Sequence, residues 1–128
     1  VTGVTLSSTS ADIIFATISC TAGEAIRLRV TAKIPFILNS GSFPQVTFTL
    51  SNVTGGADLD SSFHWDKDMG GSGMTGISTL QTELIVTTAG TTIQFKVRGI
   101  ASDAGVAGPM WGGILVSYCT LLVEVIKT

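Results

Sequence analysis

The sequence predicts an all-β protein: a two-sheet antiparallel sandwich of jelly-roll topology. Three observations carry that prediction. The first is alternation. Ile26, Leu28, Val30, Ala32, Ile34 and Phe36 are apolar, and Arg27, Arg29, Thr31, Lys33 and Pro35 stand between them. A period of two sustained over residues 26–36 is a half-buried strand and cannot be one face of a helix. The second is the supply of turn residues between such runs, at residues 39–42, 55–56, 70–73 and 104–109. The third is that no window of useful length shows helical periodicity. Many short strands with Gly-rich connections make a sandwich or a barrel.

Taken in order, residues 1–10 are small and polar and read as an N-terminal arm or linker, not as a signal peptide. Residues 11–128 are then expected to form a single jelly-roll domain. Strand candidates follow at 12–20, at 26–36, at Val46, Phe48 and Leu50, and at 62–66. Further candidates lie at 80–87, at Ile93, Phe95 and Val97, and at 113–126. Val, Ile, Thr and Phe dominate these runs, as strands prefer. The last run is apolar on both parities. Cys119, Leu121, Val123 and Val125 lie on one side, and Val116, Tyr118, Leu122 and Ile126 on the other. A strand apolar on both faces is covered on both faces. One side meets the core, and a second subunit is the simplest cover for the other, which places Tyr118, Leu122 and Ile126 at an oligomer interface. A faint repeat accompanies the pattern: Thr21, Ala22 and Gly23 precede one long amphipathic strand, and Thr88, Ala89 and Gly90 precede another. Two like halves suit a jelly roll's paired Greek keys.

Composition narrows the function. A chain of 128 residues is one ordinary domain, able to bury an apolar core without metals or disulfides. Charged residues make up 12% of it, about half the usual share. The net charge of -2 and the lack of a basic stripe argue against nucleic acid as a partner. No stretch reaches the roughly 18 consecutive apolar residues of a membrane-spanning helix, so no membrane insertion is expected. Cys20 and Cys119 are no disulfide framework and match no metal spacing. They read as buried free thiols, with a single bridge as the other reading.

The search for chemistry yields little. No G-x-S-x-G elbow is present, and the one histidine, His64, would have to serve any Ser-His-Asp or Cys-His site. The bland reading of His64 is a loop-end residue beside an aromatic. His64, Asp66 and Asp68 share a parity, but one chain supplies too few ligands for a closed metal site. Asp58 with Asp60, and Asp66 with Asp68, are the close carboxylate pairs a glycosidase would need, but both lie in or beside loops, where solvated acids are the ordinary explanation. No Gly-rich stretch leads into Lys-Ser/Thr or a helix, as a phosphate cradle would. The expectation is no catalytic residue, no cofactor and no metal. Binding features remain. Phe43, His64, Trp65, Met69, Met74, Met110 and Trp111 fall in loop-like stretches, where flat apolar side chains reward stacking on sugar or packing on protein. The alternative for Trp111 is a plug at one end of the sandwich. Asn52, Val53 and Thr54 form a formal glycosylation sequon that reads as idle.

Several of these features recur together. The turn ending in Ala22 and Gly23, the alternating strand after it, and Val46, Thr47, Phe48, Thr49 and Leu50 open the domain. A second Thr-Ala-Gly turn leads into Ile93 through Val97, and the chain closes on Val123, Glu124 and Val125. This pattern resembles the C-terminal head domains of tailed-phage tail fibres and tail proteins, which are jelly rolls of complement C1q/tumour-necrosis-factor shape. The resemblance spans roughly residues 11–128, and its motifs are turns, alternation and an ending rather than functional residues. It implies a homotrimer with its final strand near the threefold axis, located on the virion. It also implies binding of a host-surface polysaccharide or protein, and contact with other virion proteins. The residues expected at the ligand are His64, Trp65, Asp66, Lys67 and Asp68, with Trp111 second, on loops at one end of the sandwich. The alternative is a structural virion component such as a capsid decoration or cement protein.

Overall fold

The computed structural model describes residues 4–38, 45–65, 74–102, 104–108 and 119–126. Among them the chain is all-β, with two antiparallel sheets packed as a sandwich. The strands are β1 (Val4–Leu6), β2 (Ala11–Ser19), β3 (Ile26–Leu38), β4 (Gln45–Asn52), β5 (Ala57–Trp65), β6 (Met74–Val86), β7 (Thr92–Ala101), β8 (Gly105–Ala107) and β9 (Thr120–Ile126). Sheet A runs β1-β8-β3-β6, with β9 also paired to β3; sheet B runs β2-β7-β4-β5. The antiparallel partners nest: β1 with β8, β2 with β7, β3 with β6, β4 with β5. This order, a long hairpin folded over on itself, is consistent with the expected jelly roll.

The alternation read from residues 26–36 is the core face of β3. Leu28, Val30, Ala32, Ile34, Phe36 and Leu38 are all buried, and they meet Val46, Phe48 and Leu50 of β4 and Ile93, Phe95 and Val97 of β7. Phe36 and Phe48 join the sheets directly, with ring centroids 5.3 Å apart and planes tilted by 49°. Such tilted pairs add to the burial of the rings themselves.

Pro35 sits inside the central strand of sheet A, where a missing N–H ordinarily breaks the ladder. Its position resolves the conflict. β9 pairs with β3 only as far as Lys33, and β8 takes over at Phe36. The Pro35 carbonyl accepts from the Gly108 N–H at 2.9 Å, on that same side of the strand. The absent donor therefore falls in the gap between the two short neighbours.

Four expectations change. Residues 4–6, read as part of an arm, form β1, with Leu6 fully buried. The turn expected over residues 104–109 holds β8, a strand of three residues. The strand expected at 62–66 begins at Ala57, and the one expected at 80–87 begins at Met74. Very short strands give no period to count, and Asp, Ser and Gly disguise the starts of the longer ones. The turns expected at 39–42 and 70–73 lie outside the described residues. The Thr-Ala-Gly repeat has a spatial meaning: the two turns lie side by side, with the Gly23 N–H donating to the Thr88 carbonyl and the Cys20 N–H to the Thr91 carbonyl.

Candidate functional site

The outer face of sheet B is built in rows by the register of its strands. Phe63 of β5 and Ile100 of β7 flank Thr47 of β4. One row along, Trp65 stands beside Gln45, whose backbone N–H donates to the Ser102 hydroxyl at 2.9 Å. Phe63 and Trp65 are two residues apart on one strand, so both rings project from the same side. They are 59% and 52% exposed, and Ile100 is 43% exposed. An open groove of about 250 Å³ runs along this patch, with Phe63 and Ile100 as its apolar floor and Ser8, Gln45, Thr47 and Ser102 as polar rim. Among the described residues, no charged side chain lines it.

The rows on the other side of Phe63 are charged and internally compensated. Arg98 donates to both carboxylate oxygens of Asp58, at 3.0 and 2.9 Å, and to the Ser51 hydroxyl at 2.6 Å. Ser51 in turn donates to Asp58 at 2.8 Å. The hydrogen bonds from Arg98 and then Ser51 hold the Asp58 carboxyl down to about 2. The same bond to Asp58 raises the Arg98 guanidinium further above its ordinary value. Beside them Lys96 pairs with Asp12 at 3.0 Å.

A β-bulge decides what the acidic pair can do. On a regular strand Asp58 and Asp60 would share a face. The register shifts between Leu50 and Ser51, so Asp58 pairs with outward Ser51 while Asp60 pairs with inward Leu50. Asp58 therefore joins Arg98 on the outer face. Asp60 instead accepts the Gln81 N–H of β6 at 2.9 Å and links the two sheets along their edge. Ser62 and Ser78 share a hydrogen bond along the same seam.

The residues expected at the ligand are divided by the pleat. Trp65 is on the outer face. His64 points the other way, into the sandwich, with its ring centroid 5.0 Å from that of Phe36 and 6.4 Å from that of Phe48. Its Nε2 is buried without a hydrogen-bond partner, and burial pushes its pKa below the ordinary value. Adjacent residues on a strand face opposite ways, so these two do not form one surface. Asp66, Lys67, Asp68 and Trp111 lie outside the described residues. Phe63 and Ile100 were missed by sequence reasoning, although each continues an outward parity: Phe63 with Trp65, and Ile100 with Gln94, Lys96 and Arg98. The Asp58–Arg98 pair spans 40 positions and leaves no local trace.

At the opposite edge, Cys119 is buried and Leu121 and Val123 pack partly against the core. Leu122 is 56% exposed on the outer face, and Ile126 is half-buried. Val125 has the inward parity, opposite Leu28, yet is 66% exposed. Tyr118 lies outside the described residues. Both cysteines are free thiols, and burial pushes that of Cys119 up to about 11. The sequon asparagine is turned inward: Asn52 is 6% exposed, and its side-chain oxygen accepts the Gly55 N–H at 3.0 Å. Among the described residues, no group of three or more His, Cys, Asp or Glu side chains is placed to hold a metal ion.

No family model matches the chain, and no curated protein matches its sequence. Among solved structures, the chain is similar to one from the "Structure of infectious bursal disease virus Gx strain". The TM-score is 0.41 with 12% identity, over 95% of this chain and 33% of that one. The chain thus spans about a third of the length of the viral chain it matches, and a likeness at this level carries no statement about function.

Proposed function

We propose that this chain is a virion-associated head domain, a homotrimer that attaches a particle to a host-cell surface by contact and not by catalysis. The observation that carries the reading is β9. Among the described residues it pairs only with β3, so no described strand pairs with its outer backbone edge, and Leu122 and Val125 expose aliphatic surface on its two faces. An open, apolar edge strand is a template for association unless something covers it. Further copies of the same chain cover it in a closed ring without leaving an edge free to propagate. The soft resemblance to tail-fibre heads points the same way.

Light scattering at low micromolar concentration tests this. The expected mass is three chains for the wild type and one chain for a Leu122→Asp, Val125→Asp variant that keeps the wild-type circular dichroism. A monomeric wild type overturns the trimer. A second reading, a structural component such as a decoration protein, is favoured by Ile77 and Ile85. These are 51% and 68% exposed on the outer face of sheet A, away from the aromatic groove. Loss of particle binding on Ile85→Asp, with the trimer intact, would select it.

A further inference from the structure

We propose that the outer face of sheet B is a binding site for a neutral oligosaccharide, with Phe63 in the groove and Trp65 next to it, beside Gln45, as stacking platforms. The inference rests on the attachment reading above and names the chemistry of its ligand.

Four features of the groove select that chemistry. The two rings stand on one strand, roughly 7 Å apart along it by the rise of two residues, and both are more than half exposed. Exposed rings in a row offer flat apolar surface to the C–H faces of successive sugar rings. The rim offers hydroxyls and an amide from Thr47, Ser8 and Gln45, which match sugar hydroxyls as both donors and acceptors. Among the described residues the nearest cation is already engaged, because the Arg98 fork is closed on both oxygens of Asp58 and on Ser51. Lys96 is likewise paired with Asp12. The apolar surface is also small. Phe63, Trp65 and Ile100 with one shallow groove suit a ligand of a few rings, whereas a stable protein partner needs about 800 Å² on each side.

The geometry also predicts weak single-site binding. The groove is open, so a ligand keeps much of its solvent contact, and useful affinity comes from several sites acting on one polymer.

The test is a glycan array carrying neutral hexose and N-acetylhexosamine oligosaccharides beside uronic-acid and sialic-acid ones. It is probed with wild type, Phe63→Ala, Trp65→Ala and the control Ile85→Ala on the opposite sheet. The same samples are checked by thermal melting and light scattering. The expected result is binding to a subset of neutral glycans that survives 0.5 M salt. It should weaken about tenfold or more in Phe63→Ala and in Trp65→Ala and stay unchanged in Ile85→Ala. Binding confined to acidic glycans, binding insensitive to both aromatic substitutions, or no binding to any neutral glycan overturns the inference. A trimer that binds no sugar overturns this inference and leaves the attachment reading standing. A monomer whose neutral-glycan binding depends on Trp65 does the reverse.

Discussion

His64 shows how one position in a strand can reverse a functional expectation. Its sequence neighbourhood of aromatics and acids suggested a binding loop. The alternation of β5 instead places its ring against Phe36 and Phe48, with Nε2 buried and unpaired. Burial favours the neutral ring, so the folded-state pKa lies below the unfolded one. The unfolded chain therefore takes up a proton as pH falls through about 6.5, while the folded chain resists it. Stability present at pH 7 is lost as the solution is acidified below that point. Urea midpoints should fall between pH 7 and pH 5 in the wild type and show a flatter profile in His64→Phe. That variant also removes an orphaned polar atom, worth on the order of 1 kcal/mol at pH 7. Equal pH profiles for the two proteins would refute this account. Asp58 behaves oppositely: held at about 2, it contributes fully above the ordinary carboxylate range and loses that contribution progressively as pH falls from that range through about 2. The acid limb near pH 3 should therefore be shallower in Asp58→Asn, as far as an exposed pair allows.

At the scale of elements, long strands were legible and short or interrupted ones were not. β3, β4 and β7 announced themselves because each alternates between buried aliphatics and polar residues. β1 and β8 have three residues each, too few for a pattern, and Gly105 within β8 reads as a turn. The structure explains the glycine. A Cβ at Gly105 would stand 2.4 Å from the Ile37 carbonyl oxygen and 2.6 Å from Leu38 Cδ2, so the two strands approach too closely for any side chain. Gly105→Ala should destabilise the protein by about 1–3 kcal/mol, as overpacking does. It should also speed amide exchange at Val106, which belongs to the same short ladder. Gly90→Ala is the contrast: its Cβ would meet nothing nearer than Thr88 Oγ1 at 3.9 Å, and chemical denaturation should register little change. Comparable losses in both would show that close approach is not what Gly105 serves. The bulge in β5 was equally invisible in sequence, because an extra residue such as Leu59 only becomes extra once the partner strand is known.

For the molecule as a whole, parity fixed which side chains are inside but not which strands pair. The pairing of β3 with β6, or of β2 with β7, joins segments far apart in the chain, and no local pattern encodes it. The Thr-Ala-Gly repeat was the one long-range hint, since its two copies are hydrogen-bonded neighbours. The candidate site was less legible than the fold for the same reason: its rows draw on β4, β5 and β7, and Trp65 alone was expected among its aromatics. What unites these pairings is a single core, and the Phe36–Phe48 contact is its inter-sheet link. If the sheets depend on that core jointly, they should unfold in one transition, and the two rings should be energetically coupled. A double-mutant cycle with Phe36→Leu and Phe48→Leu should give a coupling of about 0.5–1.5 kcal/mol, the usual worth of an aromatic pair beyond burial. Far-ultraviolet circular dichroism and tryptophan fluorescence should follow the same urea curve in all four proteins. Additive losses would mean that the rings merely fill space. Separate transitions would mean that each sheet is stable without the other, a result the shared, fully buried Phe36, Phe48 and Phe95 argue against.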